Sequence, residues 1–146
     1  MFPDDMVRTM RDELTSIGFR ELRTPEDVDS ALKQEKRTTL VVVNSVCGCA
    51  AGKARPAIAR ALANPAHPEV LLTVFAGQDR EATERARTYF TGYAPSSPSI
   101  ALLRDGKVAF MLERRDIESR DPLAITADLT RAFERFCSAA SVPAEK

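Results

Sequence analysis

Apolar positions along the chain recur with two periods. Residues 3–17 carry Met6, Val7, Met10, Leu14 and Ile17 at helical spacing, with Pro3, Asp4 and Asp5 suited to a first turn and Gly18 as a stop. Phe19 to Leu22 reads as a short strand. Thr24-Pro25-Glu26-Asp27 has the order of an N-cap, a proline at the first helical position and acids in the first turn, opening a helix to about Lys36 with Val28, Ala31 and Leu32 inward. Thr38 to Asn44 contains the unbroken apolar run Leu40-Val41-Val42-Val43, the pattern of a strand buried on both faces. A small-residue helix follows, rich in alanine (Ala50, Ala51, Ala54, Ala57) and running to about Ala63. Pro56 inside it removes one backbone hydrogen bond and predicts a bend.

After the loop Asn64 to Pro68, Val70 to Phe75 predicts a second buried strand. Gly77-Gln78-Asp79 turns into a helix over Arg80 to about Phe90, with Ala82, Ala86, Tyr89 and Phe90 on its apolar side. Thr91 to Pro98 is a Gly/Pro/Ser loop, Ser99 to Leu103 a strand, Asp105-Gly106 a hairpin turn and Lys107 to Leu112 the returning strand. Asp121-Pro122 opens the last helix, where Leu123, Ile125, Leu129, Phe133 and Phe136 repeat at helical spacing as far as Cys137. The tail, 138–146, is expected to fray. Helix followed by βαβαβαββα predicts an α/β fold: parallel strands joined by helices, an antiparallel pair from the final hairpin, and one five-stranded mixed sheet with helices on both faces. The chain reads as a single domain, residues 1–146, with its core over about 19–137.

Composition narrows the function classes. Twenty-one Lys and Arg balance 21 Asp and Glu, which gives no reason to expect nucleic acid or an anionic membrane as a partner. The first residues lack a basic-then-apolar signal pattern, and no apolar run approaches the ~20 residues of a membrane span. The expected location is the cytosol. Three cysteines, two of them separated by one residue, make a poor structural disulfide framework. In a reducing compartment they point to catalysis, redox sensing or metal binding.

The chemistry concentrates at Asn44-Ser45-Val46-Cys47-Gly48-Cys49, where the buried strand breaks into a helix. A thiol at a helix N-terminus meets unpaired N–H groups and the positive end of the dipole, which favour a thiolate. Cys47 is therefore the expected nucleophile. Cys49 is the candidate resolving thiol; the disulfide it would close with Cys47 spans a small, strained ring that should be easily reduced, and Gly48 supplies backbone freedom for it. Alternatively, a second small thiol resolves the Cys47 adduct and Cys49 is auxiliary. Lys53 and Arg55 add positive charge and read as exposed helix residues. Cys137 ends an apolar helix face and reads as a packed thiol with a possible auxiliary redox role. Gly48 to Lys53, GCAAGK, is one residue short of a phosphate-binding loop and is followed by Ala54. Cys47, Cys49, Cys137 and His67 fit no standard zinc spacing, so no metal is expected, and His67 reads as a surface residue.

Ser97-Pro98-Ser99 followed by Ile100 to Val108, together with the cysteine turn between the second strand and its helix, resembles the thioredoxin fold. That likeness implies that Pro98 is cis and faces the cysteines. The segments NSVCGCAAGKARP (44–56), FAGQD (75–79) and YFTGYAPSSPSIALL (89–103) resemble the bacilliredoxin family more closely still, over nearly the whole chain and with the extra N-terminal helix. Departures from ordinary thioredoxins are the single residue between the cysteines, the absence of Trp and Asn44 in the strand before them. The bacilliredoxin resemblance implies a thiol–disulfide oxidoreductase that removes bacillithiol from mixed disulfides on client proteins, with bacillithiol as co-substrate and no bound cofactor. Cys47 would be the nucleophile and Cys49 the resolving thiol; Gly48, Ser97 and Pro98 would contact substrate, and Asn44, Lys53 and Cys137 would assist. A general disulfide isomerase or reductase, and a non-catalytic redox-sensing or metal-binding module, are the alternative readings.

Overall fold

The computed structural model describes residues 1–138; the expected fraying of the tail falls on 139–146, outside them. The element order is α1 (Asp4–Thr15), β1 (Arg20–Glu21), α2 (Pro25–Leu32), β2 (Thr39–Asn44), a π-helical turn (Ala50–Ala54) running into α3 (Arg55–Ala61), β3 (Val70–Phe75), α4 (Arg80–Arg87), β4 (Ser99–Arg104), β5 (Lys107–Leu112), α5 (Arg114–Glu118) and α6 (Pro122–Phe136). The strands form one sheet in the order β1-β3-β2-β4-β5. β1, β3 and β2 are parallel, β4 runs antiparallel to β2, and β5 antiparallel to β4.

The direction of β4 corrects the expectation that only the last hairpin is antiparallel. The connection from α4 does not lead straight into a parallel strand. Its Tyr89–Tyr93 part lies beside Gly106 and Lys107 at one end of the sheet. The chain then reaches the opposite end, where Ser99 pairs with Val43.

The all-apolar run of β2 is explained by its central place: every residue from Thr39 to Asn44 is buried. Alternate side chains feed two cores, as a strand's two-residue period requires. Leu40 and Val42 meet Ile100, Leu102, Ile58, Ile125, Leu129 and Phe133 beneath α3 and α6. Val41 and Val43 meet Leu72, Val74, Ala82, Ala86 and Phe90 beneath α2 and α4. Each Leu, Ile, Val or Phe so buried contributes about 1.5–3 kcal/mol relative to exposure. The alanines of α3 (Ala57, Ala61) let it lie close to the sheet and α6.

Local signals are realised in detail at α2, where Thr24 accepts a hydrogen bond from the Asp27 N–H at 3.0 Å. Gly18 leaves α1 with φ 107°, a conformation that only glycine adopts freely. Met6 and Ile17, expected on the inner face of α1, are instead 51% and 37% exposed, while Val7 and Leu14 are buried. Leu123 at the start of α6 is likewise 64% exposed. Pro56 falls in the first turn of α3 rather than mid-helix. The preceding turn widens, so that the Arg55 N–H reaches the Ala50 carbonyl, and a proline without an N–H is accommodated there. α5 was not expected from the sequence.

Candidate active site

Cys47 stands at the N-cap of the helical stretch that begins at Gly48: its carbonyl accepts from the N–H groups of Ala50 and Ala51, both at 3.1 Å. Its sulfur takes the place that a capping oxygen fills elsewhere. Ser45 donates its hydroxyl to the Cys47 sulfur at 3.1 Å. Burial works against ionisation here and is the largest single influence on the thiol. The Ser45 hydroxyl, the N–H groups of Ala50 and Cys49 and the charge of Arg114 together outweigh it and hold Cys47 below the ordinary thiol range. Cys49 behaves oppositely: burial, then the negative charge on Cys47, push its thiol up, with Arg114 acting against them. Adjacent thiols are thus set apart, one toward thiolate and one held protonated, and neither is in a disulfide.

Arg114, like Ser45, is a site residue to which the sequence alone gave no role. It opens α5, where Glu113 and Asp116 form a reciprocal capping box. Its backbone N–H donates to the Ser96 hydroxyl (3.3 Å) and its guanidinium to the Ser97 carbonyl (3.1 Å) and to Glu118 (3.0 Å). Its charge acts on both cysteines. The Ser97–Pro98 bond is cis, as the fold resemblance implied. Pro98 is buried and Ser97 half-buried. Pairing of Ser99 with Val43 sets this loop at the end of β2 from which the cysteine turn leaves.

A buried polar cluster fixes the strand end below Cys47. The Asn44 amide donates to the Met10 carbonyl (3.2 Å), and its oxygen accepts from the Ser45 N–H (2.9 Å) and from Arg55 (2.8 Å). Arg55 also donates to the Ser45 carbonyl (3.0 Å) and pairs with Glu13 on α1. Arg55 is therefore not the exposed helix charge expected from the sequence: it is 4% exposed and ties α1, β2 and α3 together. Lys53 is half-buried and donates to the Glu118 carbonyl at 2.6 Å, where a cation suits the end of a helix. Gly48 is exposed, and a Cβ built on it would touch nothing within 4 Å. What it contributes to this reduced form is open approach to the cysteines rather than special backbone geometry.

Cys137 is buried beside Thr38, with burial pushing its thiol up. Thr38 precedes β2 and Cys47 follows it. Six strand residues at ~3.3 Å each put the two thiols roughly 20 Å apart, which removes Cys137 from the resolving chemistry. His67 is half-buried near that same far end, where Glu69 N–H meets the Thr38 carbonyl. Cys47, Cys49, Cys137 and His67 are not gathered, and among the described residues no three His, Cys, Asp or Glu side chains group as metal ligands.

Comparison with known proteins gives the family and the fold. The Disulphide isomerase family matches residues 2–137. The chain is 55% identical to a bacilliredoxin of Koribacter versatilis over 95% of this chain and 96% of that one. It is 56% identical to one of Bacillus cereus (93% and 94%) and 54% identical to one of Salinibacter ruber (99% and 86%). The crystal structure of Fasciola hepatica thioredoxin superposes with a TM-score of 0.52 at 20% identity, covering 78% of this chain and 99% of the thioredoxin, and shows the shared fold. The chain belongs to the disulphide isomerase family, among its bacilliredoxins, and is a thiol–disulfide oxidoreductase of thioredoxin-like fold.

Proposed function

We propose that the chain removes bacillithiol from mixed disulfides on cytosolic client proteins. What carries this reading is the placement of Cys47 at a helix start with the Ser45 hydroxyl on its sulfur and Cys49 two residues on, in a chain 55–56% identical to bacilliredoxins; the opposite shifts of the two thiols accord with it. In the first step the Cys47 thiolate attacks the bacillithiol sulfur. The mixed disulfide breaks, the client cysteine leaves as thiolate, and a Cys47–bacillithiol disulfide remains. Cys47 then carries no negative charge, so one of the influences holding the Cys49 proton disappears while Arg114 continues to favour its loss. Cys49, deprotonated, attacks the Cys47 sulfur, bacillithiol leaves as thiolate, and a Cys47–Cys49 disulfide forms, to be reduced by a further thiol. In the alternative resolution a second bacillithiol attacks the adduct at its bacillithiol sulfur and returns Cys47 directly. Ser97 and Pro98, beside the cysteine turn, are proposed to border the incoming disulfide, with Gly48 leaving its path clear.

General disulfide isomerisation is the second reading, favoured by the description of the matching family. The two are separated by offering reduced enzyme a bacillithiolated protein and, separately, a protein with scrambled disulfides. The proposal expects release of bacillithiol from the first to outpace reshuffling of the second by orders of magnitude. Comparable rates, or action on the scrambled protein alone, transfer the assignment to isomerase.

A further inference from the structure

A cleft of about 420 Å³ opens between the Ala76–Gly77 turn after β3, Arg80, Thr83, Glu84 and Arg87 on α4, and Ser97 of the cis-proline loop. It adjoins the site directly: the Ala76 N–H donates to the Asn44 carbonyl at 2.9 Å. It lies outside the carboxyl ends of parallel strands β2 and β3, the usual ligand position in such sheets. Its size suits a small ligand. Arg87 donates from one terminal nitrogen to the Ser96 carbonyl at 3.2 Å. Its Nε is buried with no hydrogen-bond partner, although buried guanidinium N–H groups are ordinarily paired. Glu84 sits 3.6 Å from the exposed Arg80 and its charge also reaches Arg87, but among the described residues the Arg87 guanidinium bonds only the Ser96 carbonyl.

We infer that this cleft is the subsite for the small-thiol half of the disulfide, with Arg87 receiving a carboxylate of bacillithiol while its sulfur lies on Cys47. The inference rests on the proposed activity and adds to it the residue that selects the small thiol. Ser96–Ser97 separates the two halves of this site: Arg87 holds the loop from the cleft side and Arg114 from the cysteine side. The Nε is closed to the cleft, so the carboxylate would take the terminal nitrogen that Ser96 leaves free, in partly desolvated surroundings where such charge-assisted bonds are strong.

The test compares reduced wild type and Arg87→Gln in reaction with bacillithiol disulfide and with uncharged bis(2-hydroxyethyl) disulfide, following the loss of the free Cys47 thiolate. In each, Cys47 attacks one sulfur, the S–S bond breaks and one thiolate leaves. The ratio of the two second-order rates in wild type is expected to favour bacillithiol disulfide and to fall about tenfold or more in Arg87→Gln. Added salt should erode the wild-type preference. Should Arg87→Gln not fold, Arg87→Lys decides: it keeps a cation but loses the guanidinium fork, and a fall in the ratio of about twofold or more is expected. An unchanged ratio, or equal slowing with both disulfides, overturns the subsite, because Arg87 then only supports the Ser96 loop. Wild type that reacts with the neutral disulfide and ignores bacillithiol disulfide overturns instead the activity on which the subsite rests.

Discussion

Replacing Ser45 by Ala isolates one of the contacts that hold Cys47 as thiolate. The hydroxyl donates to the sulfur at 3.1 Å from a residue that is only 7% exposed, so water does not simply replace it. A hydrogen bond to a charged acceptor contributes about 1.5–3 kcal/mol. Sulfur is a soft acceptor, so the lower figure applies, and at about 1.4 kcal/mol per pKa unit this is about one unit. The Ala50 and Cys49 N–H groups and Arg114 remain in the variant. The thiol of Cys47 is therefore expected to move up by about one unit and to stay below that of Cys49. The direction follows from which form is bonded: the thiolate loses a donor, so the proton is held more tightly. The assay is the pH dependence of alkylation of reduced protein, with the modified cysteine identified by mass. At pH values below both midpoints, Ser45→Ala should react about tenfold more slowly. An unshifted or lowered midpoint would refute the role given to this hydroxyl.

Other perturbations follow from the same contacts. Arg55→Met leaves the Asn44 and Ser45 oxygens without their buried donor and Glu13 without its partner, and should cost about 3 kcal/mol in urea unfolding; a loss below about 0.5 kcal/mol would contradict the clamp. Leu129→Ala in the α6 core should cost about 2–5 kcal/mol, whereas Leu123→Ala, 64% exposed on the same helix, should change stability by less than about 0.5 kcal/mol. Cys137→Ala should leave the alkylation midpoint of Cys47 and the yield of the Cys47–Cys49 disulfide unaltered, and loss of that disulfide would return Cys137 to the redox chemistry.

Much of this was legible in the sequence because the informative signals are local. A four-residue apolar run marks the central strand, Thr24-Pro25 marks a helix start, and a cysteine pair after a strand marks the site. What escaped depends on contacts between distant segments. Arg55 reads as solvated because charge usually is; only the approach of Asn44 and Glu13 buries it. Arg114 lies in a five-residue helix whose one buried side chain is Ile117, too short for any periodicity. The Glu113 to Asp116 capping pair was its one visible trace, with Glu in place of the usual Ser or Thr. The direction of β4 turns on the path of a long loop, which composition does not encode. The unpaired Nε of Arg87 has no sequence signature at all.

Trapping the intermediate tests the central claim most directly. Reduced wild type, Cys47→Ala and Cys49→Ala are each mixed with a bacillithiolated client protein and read by intact mass. The account predicts that wild type strips the client and ends as a Cys47–Cys49 disulfide, that Cys49→Ala strips it and retains bacillithiol on Cys47, and that Cys47→Ala leaves the client untouched. A Cys47→Ala protein that still frees the client, or bacillithiol found on Cys49 in wild type, would contradict it.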